Sequence, residues 1–280
     1  MKLLRALLLA LVPGLLAVSI AIPAHAFDIE KLTGRPDLRS AAAIIVDENG
    51  QEIYSKDADS VRPIASITKL MTAMVILDAG LDLSEPITIT KEDRDLIQLT
   101  GSRLGYGATL SRREMILLAV MSSENRAATA LGRTYPGGME RFVSAMNAKA
   151  SLLGMHDSTF ADPAGLHVEN QSTARDLMKL VAAARGYELI HEASTTTRVE
   201  VYPWKDRGHL VYGNTNRLLK NTNWDIDISK TGYLNEAGRC LVMLANIDGE
   251  PVTIVLLDSF GKLTPFGDSN RLRQWIASGE

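Results

Sequence analysis

A serine and a lysine three residues apart open an apolar stretch in the first third of the chain. Ser66 and Lys69 stand at the head of a mostly apolar run that extends from Leu70 to Leu77. If this run is helical, positions i and i+3 share one face, so the Lys69 amine can reach the Ser66 hydroxyl. Free backbone N–H groups of the first turn can stabilise negative charge near the serine oxygen. The pair therefore has the composition of a nucleophile beside its base.

This spacing alone is weak evidence for catalysis. Ser259 and Lys262 show the same spacing, and an ordinary helix start with a solvated lysine would give it too. An unperturbed lysine amine, with a pKa near 10.4, is neutral only about once in 2,500 molecules at pH 7. Burial and a second nearby cation both lower such a pKa, and Lys230 is the candidate neighbour of Lys69.

Two further motifs have residue types that suit the same chemistry. Ser123 and Asn125 form a Ser-x-Asn motif where a second apolar helix is expected to end. The residues 230–232 form a Lys-Thr-Gly motif within a segment that is expected to be a strand. Taken singly, the first is also typical of a helix cap or turn and the second of an ordinary strand end.

The pattern of apolar residues predicts strands at the front of the chain and helices in the middle. The segments 41–46 and 51–55 flank the turn residues 47–50 and predict a hairpin. From Ser66 onward the period is helical, and Gly80 marks the expected end of that helix. A capping box at 111–114 opens a second helix at 115–121, and further helices are expected at 140–153 and 173–185.

Strand patterns return after about residue 195. Alternation predicts strands at 197–202 and around 226–228, and the segments 239–247 and 251–258 are expected to pair across Asp248-Gly249. The residues 270–278 are expected to form a helix that packs on the sheet, and the alternative is a helix that associates loosely with the membrane surface. Two strands from the front and three from the back predict an α+β fold with one antiparallel sheet. We expect a single domain with a helical insertion at about 70–190.

The first 26 residues have the features of a secretory signal peptide. Lys2 and Arg5 precede the apolar stretch 7–22, which ends in Ala24-His25-Ala26. The mature protein is then expected to be residues 27–280, exported and without a stable transmembrane segment. Its single cysteine, Cys240, permits no internal disulfide and is expected to be buried. A net charge of −3 argues against nucleic acid as a partner, and the histidine spacing predicts no metal site. No cofactor is expected.

The three motifs, taken together and in this order, resemble those of a known family. Ser-x-x-Lys, Ser-x-Asn and Lys-Thr-Gly are typical of penicillin-binding proteins and related β-lactamases. The chain resembles low-molecular-mass penicillin-binding proteins, which are serine D-alanyl-D-alanine peptidases, and most of all their short endopeptidase type. Stretches that carry the likeness are 64–74, 123–128, 165–177 and 230–240. The likeness spans about residues 40–258 and implies a five-stranded antiparallel sheet flanked by helices, with a helical lobe across the active-site cleft.

The resemblance implies a role for each motif residue. Ser66 would be the acylated nucleophile, Lys69 its base and Ser123 the relay of a proton to the leaving amine. Asn125 would hold the substrate amide. The remaining substrate-binding residues would be Lys230 and Thr231 at the terminal carboxylate, Gly232, which allows close approach, and Tyr233, whose backbone N–H would complete an oxyanion hole with that of Ser66.

The resemblance also implies a substrate and a compartment. The expected substrates are peptidoglycan stem peptides and their cross-links in the periplasm, with cleavage of D-alanyl cross-links, of the terminal D-Ala-D-Ala bond, or of both. β-Lactams are expected to be covalent inhibitors. Two alternatives remain: a β-lactamase or esterase of the same fold, and a non-catalytic β-lactam sensor or binding module. The acidic motif with which class A β-lactamases deacylate is not found in the sequence, which argues against rapid penicillin hydrolysis.

Overall fold

The computed structural model describes residues 32–278, and the predicted signal peptide lies outside this range. Its strands are β1 (Ser40–Val46), β2 (Glu52–Lys56), β3 (Arg62–Pro63), β4 (Pro86–Thr88), β5 (Thr109–Ser111), β6 (Gln171–Ser172), β7 (Arg198–Val201), β8 (Leu210–Gly213), β9 (Asp225–Leu234), β10 (Gly238–Ile247) and β11 (Glu250–Ser259). Its α-helices are α1 (Thr68–Asp78), α2 (Arg112–Met121), α3 (Asn125–Arg133), α4 (Gly138–Leu152), α5 (Ala174–Ala184), α6 (Glu188–Thr195) and α7 (Thr264–Ser278).

Five strands form one antiparallel sheet in the order β2-β1-β11-β10-β9. Alternate residues of a strand point to opposite faces, so β1 contributes Ile44 to one core and Ile45 to the other. The Ile44 core contains the helices α1, α2 and α5, whereas the Ile45 core contains Trp275 of α7. Both faces of the sheet are therefore covered, and the predicted α+β class with a five-stranded antiparallel sheet is confirmed.

Helix α1 lies in the middle of the molecule and packs against α2, α3, α4 and α5. Every residue from Thr68 to Ile76 is buried, including Lys69. A helix that is apolar around its whole circumference is stable only where neighbours surround it. The surrounding helices thus fix the position of the residues at its N-terminus.

Several boundaries differ from the sequence prediction. Ser66 precedes α1, in a single 3₁₀ turn at Ala65–Ile67. The predicted capping box between Ser111 and Glu114 is present, so α2 already starts at Arg112. The short helices α3 and α6 were not predicted, and α7 begins at Thr264 instead of residue 270. The predicted strand at 197–202 is β7, which pairs with β8 in a separate sheet. Among the described helices, none is long and apolar enough to span a membrane.

Candidate active site

The serine of the first motif lies in a turn with unusual backbone geometry. Ala65, just before Ser66, has a φ of +47°, which costs energy for a residue with a side chain. The backbone of Gly165 packs directly against it, because a Cβ on Gly165 would lie 2.0 Å from the Ala65 carbonyl oxygen. The tight 3₁₀ turn held in this way leads into α1 and places Ser66 over Lys69.

The Lys69 amine is buried and has three polar neighbours. Its Nζ lies 2.8 Å from Ser66 Oγ, 2.8 Å from Asn125 Oδ1 and 2.6 Å from the Ala164 carbonyl oxygen. An amide oxygen and a carbonyl oxygen can only accept hydrogen bonds, whereas the serine hydroxyl can also donate. A neutral amine has two hydrogens and one lone pair, which match these three neighbours. The geometry therefore suits an amine that receives the Ser66 proton.

Burial lowers the pKa of Lys69 to about 7, although the carboxylates of Asp162, Glu124 and Asp95 act in the opposite direction. The effect of a neighbouring cation is seen on the pKa of Lys230. Burial and the positive charge of Lys69 together hold the pKa of Lys230 well below its ordinary value. Desolvation is thus the main reason why Lys69 can be neutral near pH 7.

A loop at 162–170 supplies the carbonyl that contacts Lys69. The Asp162 carboxylate accepts five hydrogen bonds of 2.6 to 2.9 Å, from the backbone N–H groups of Ala164, Gly165, Leu166 and His167 and from Asn170 Nδ2. Thr72 of α1 donates to the Pro163 carbonyl at 2.7 Å. Sequence reasoning missed Asp162, and its only local signal is an acidic residue three positions before a glycine, as in an Asx turn.

The second motif follows α2 and includes Asn125, the first residue of α3. Ser123 has a φ of +60°, and its Oγ accepts a hydrogen bond of 2.9 Å from Lys230 Nζ. Asn125 Nδ2 donates to Thr100 Oγ1 at 2.8 Å, which turns its Oδ1 towards Lys69. Asp95 in turn accepts from the backbone N–H and the hydroxyl of Thr100. Thr100 and Asp95 therefore orient Asn125, and no local sequence pattern indicates either residue.

The third motif lies on β9, alongside the nucleophile turn. Lys230 is buried, and Thr231 Oγ1 is 2.6 Å from Thr215 Oγ1. A Cβ on Gly232 would lie 2.9 Å from the Ile64 carbonyl oxygen and 3.3 Å from the Ser66 backbone nitrogen. The glycine therefore lets β9 approach the turn.

A cleft of about 500 Å³ brings six of the eight predicted site residues to one surface. They are Ser66, Ser123, Asn125, Thr231, Gly232 and Tyr233. Lys69 and Lys230 lie behind them and bond to Ser66 and Ser123. Cys240 also borders the cleft, but it is buried, and burial raises the pKa of its thiol to about 12. Within residues 32–278, no group of three or more His, Cys, Asp or Glu side chains is arranged to hold a metal ion.

Comparison with solved structures identifies the fold. A Streptomyces DD-transpeptidase shares 26% sequence identity with this chain at a TM-score of 0.81, covering 88% of this chain and 100% of that one. A Listeria monocytogenes penicillin-binding protein in its cefotaxime-bound form shares 29% identity at a TM-score of 0.76, with coverage of 88% and 100%. The predicted β-lactamase/DD-peptidase-like fold is confirmed by these matches.

Comparison with curated sequences gives the same family. A D-alanyl-D-alanine endopeptidase of Pseudomonas aeruginosa is 46% identical over 98% of this chain and 89% of its own length. One of Escherichia coli is 46% identical over 95% of this chain and 87% of its own length. The profile of the serine-peptidase family described as D-alanyl-D-alanine carboxypeptidase matches residues 29–261. The resemblance seen in the motifs is therefore confirmed, and the chain belongs to the D-alanyl-D-alanine carboxypeptidase family of serine peptidases.

Proposed function

We propose that this protein is a serine DD-peptidase that cleaves D-alanyl bonds of peptidoglycan through an acyl-enzyme. The observation that carries the proposal is the 2.8 Å contact between Ser66 Oγ and the buried Lys69 amine, whose pKa is lowered to about 7. Such an amine is neutral in a large fraction of molecules at neutral pH and can take the serine proton.

The reaction begins when Ser66 Oγ attacks the substrate carbonyl and its proton passes to Lys69. The backbone N–H groups of Ser66 and Tyr233 stabilise the oxyanion, a contribution of about 2.7 to 4 kcal/mol per donor. Ser123, which accepts a hydrogen bond from Lys230, gives its hydroxyl proton to the leaving amine and is reprotonated with the proton that Lys69 took from Ser66. Water then hydrolyses the acyl-enzyme.

Two other groups bind the substrate in this proposal. Asn125 holds the substrate amide, since its side chain is oriented by Thr100. Lys230 and Thr231 receive the carboxylate next to the scissile bond through charge and a hydroxyl hydrogen bond, since a bound carboxylate favours the charged form of Lys230. A β-lactam would acylate Ser66 in the same way, and the cefotaxime complex of the Listeria relative supports this expectation.

Cleavage of cross-links is the activity that we favour. The two relatives at 46% identity are both named D-alanyl-D-alanine endopeptidases, whereas a relative named carboxypeptidase, from Bacillus subtilis, is 29% identical. Release of the terminal D-alanine would be a neighbouring activity. We further propose that residues 1–26 direct export to the periplasm and that residues 27–280 act as a single domain. N-terminal sequencing of the exported protein tests the cleavage site.

Mass spectrometry of muropeptides tests the activity. Residues 27–280 are incubated with cross-linked dimers and with monomeric pentapeptides, and Ser66→Ala serves as the inactive control. Conversion of dimers to monomers is the expected result. Loss of one D-alanine from pentapeptides with intact dimers would indicate a carboxypeptidase instead. No change in either substrate would contradict the proposal and favour a β-lactam sensor, whereas fast turnover of penicillin would favour a β-lactamase.

A further inference from the structure

Four cationic side chains line the active-site cleft in addition to the catalytic motifs. They are Arg217, Lys220, Arg239 and Lys262, which we call the basic rim. Within residues 32–278 none of them forms an ion pair, and the cleft lining includes no aspartate or glutamate. The whole chain has a net charge of −3, so this excess of positive charge is local to the cleft.

One half of the basic rim lies next to Thr231. The hydroxyl of Thr231 is 2.6 Å from that of Thr215, and the short 3₁₀ helix Arg217–Lys220 begins two residues later. Arg217 and Lys220 are both exposed and carry their charges on this helix. Arg217 and Lys220 therefore line the part of the cleft that lies beyond Thr231, where the carboxylate next to the scissile bond would bind.

The other half of the basic rim lies next to Tyr233. Arg239 of β10 pairs with Tyr233 of β9, and its guanidinium lies 3.8 Å from the centre of the tyrosine ring. On the side of β10 opposite to Tyr233, Arg239 pairs with Ser259 of β11. Lys262 follows β11 in the chain. Stacking on Tyr233 occupies a face of the Arg239 guanidinium but leaves its N–H groups in the plane free to donate.

We infer that the basic rim binds a leaving peptide that carries carboxylates in addition to the one received by Lys230 and Thr231. This inference rests on the proposed function and names the substrate class of the same site. A single terminal D-alanine has one carboxylate, which Lys230 and Thr231 already accommodate. A cross-linked peptide continues past the scissile bond, and its further carboxylates reach the four unpaired cations.

The expected effect on binding is moderate, because three of the four cations are exposed. Two exposed ion pairs correspond together to about a threefold to tenfold change in affinity. Clustered cations in a cleft also attract anions at longer range, and this contribution decreases as salt is added. Peptides with free carboxylates should therefore bind more tightly than amidated ones, with a difference that becomes smaller at high ionic strength.

Calorimetric binding to the Ser66→Ala protein tests the inference without turnover. The probes are a cross-linked muropeptide dimer with free carboxylates and the same dimer amidated in its leaving peptide everywhere except next to the scissile bond. We expect the free dimer to bind about three to ten times more tightly. Adding Arg217→Gln and Lys220→Gln should reduce this ratio, because only Arg239 and Lys262 of the basic rim remain. Lys91→Gln with Arg185→Gln removes two exposed charges outside the cleft lining and should leave the ratio unchanged.

Two results would overturn the inference: equal binding of the two dimers, or an unchanged ratio in the Arg217/Lys220 variant. Penicillin acylation of that variant with Ser66 restored shows whether its active site is intact. Failure of the proposed function would be visible separately, as intact dimers after incubation with the protein that retains Ser66.

Discussion

At the scale of single residues, the protonation of Lys69 controls the chemistry. The amine has two neighbours that only accept hydrogen bonds and one that can donate, and it is deeply buried. Burial makes the charged form costly, so a protonated Lys69 is disfavoured even though three carboxylates lie near enough to oppose the effect. The same burial that makes the lysine a base therefore also makes its activity sensitive to pH.

We expect acylation by penicillin to depend on pH with a midpoint near 7. The pKa of Lys69 is about 7, and the neutral amine, which is the active form, predominates above this value. The second-order rate constant of acylation should thus rise tenfold per pH unit on the acid side and level off above neutrality. Measuring this constant from pH 5 to 9 checks the prediction. A midpoint above pH 9 would exclude Lys69 as a base of lowered pKa, and Ser66→Ala should show no labelling at any pH.

At the scale of elements, the nucleophile turn is held by a loop and not by its own sequence. Ala65 keeps its positive φ because Gly165 lies against its carbonyl oxygen, and the loop that contains Gly165 is closed by Asp162. Strain in one segment is thus balanced by packing and hydrogen bonds in another.

Gly165→Ala should displace the nucleophile turn. The new Cβ would lie 2.0 Å from the Ala65 carbonyl oxygen, so overpacking adds about 1 to 3 kcal/mol to the cost of a positive φ. We expect acylation by penicillin to fall at least tenfold and the melting temperature to decrease. Gly154→Ala is the matched control. Gly154 has a φ of +71°, close to the +72° of Gly165, but the atom nearest to its new Cβ would be 3.9 Å away. Equal effects of the two substitutions would show that φ strain alone is responsible.

Asp162→Asn should alter the site in two ways. The amide has one acceptor oxygen in place of two, so some of the five hydrogen bonds that position the Ala164 carbonyl are lost, at about 1 to 3 kcal/mol per unsatisfied group. The negative charge that raises the pKa of Lys69 also disappears, so the midpoint of the acylation pH profile should move to lower pH. Asp176→Asn, at a buried carboxylate that is not among the charges acting on Lys69, should lower stability without moving the midpoint.

The sequence predicted the elements that depend on local signals. The capping box at Ser111 and the three motifs depend on residue type and spacing, and each lies where the structure has the corresponding cap, turn or strand. Helix α3 was missed because it is short and has a Gly132 near its end, and α6 because it has only eight residues. The contacts of Asp162 with its loop and of Asp95 with Thr100 required tertiary structure, since an acidic residue in a loop has many possible partners.

At the scale of the whole molecule, α7 connects the end of the described chain to its first strand. The buried Asp268 accepts hydrogen bonds from the backbone N–H groups of Arg39 and Ser40 and from the Ser40 hydroxyl. Ser40 also bonds to Ser259 of β11 at 2.7 Å. The start of β1 is therefore fastened to the last two elements, β11 and α7.

Asp268→Asn should destabilise this fastening without changing the catalytic site. An amide N–H group would face backbone donors in a buried position, which we expect to cost about 3 kcal/mol. For a chain of this size that corresponds to a decrease of about 6 to 12 °C in melting temperature. Calorimetry checks the decrease, and the acylation pH profile should stay the same. Asp248→Asn, at an exposed turn position, is the control and should leave the melting temperature nearly unchanged.

The pairing of β1 with β11 also determines when the protein can fold. Ser40 and Ser259, which face each other in this pair, are 219 positions apart in the chain. The central strand β11 is the last to be synthesised, so a growing chain cannot complete its sheet until almost all of it is available. Late closure of the sheet delays native folding and so suits the export proposed above, because a chain without its complete sheet is easier to thread through a narrow translocation pore.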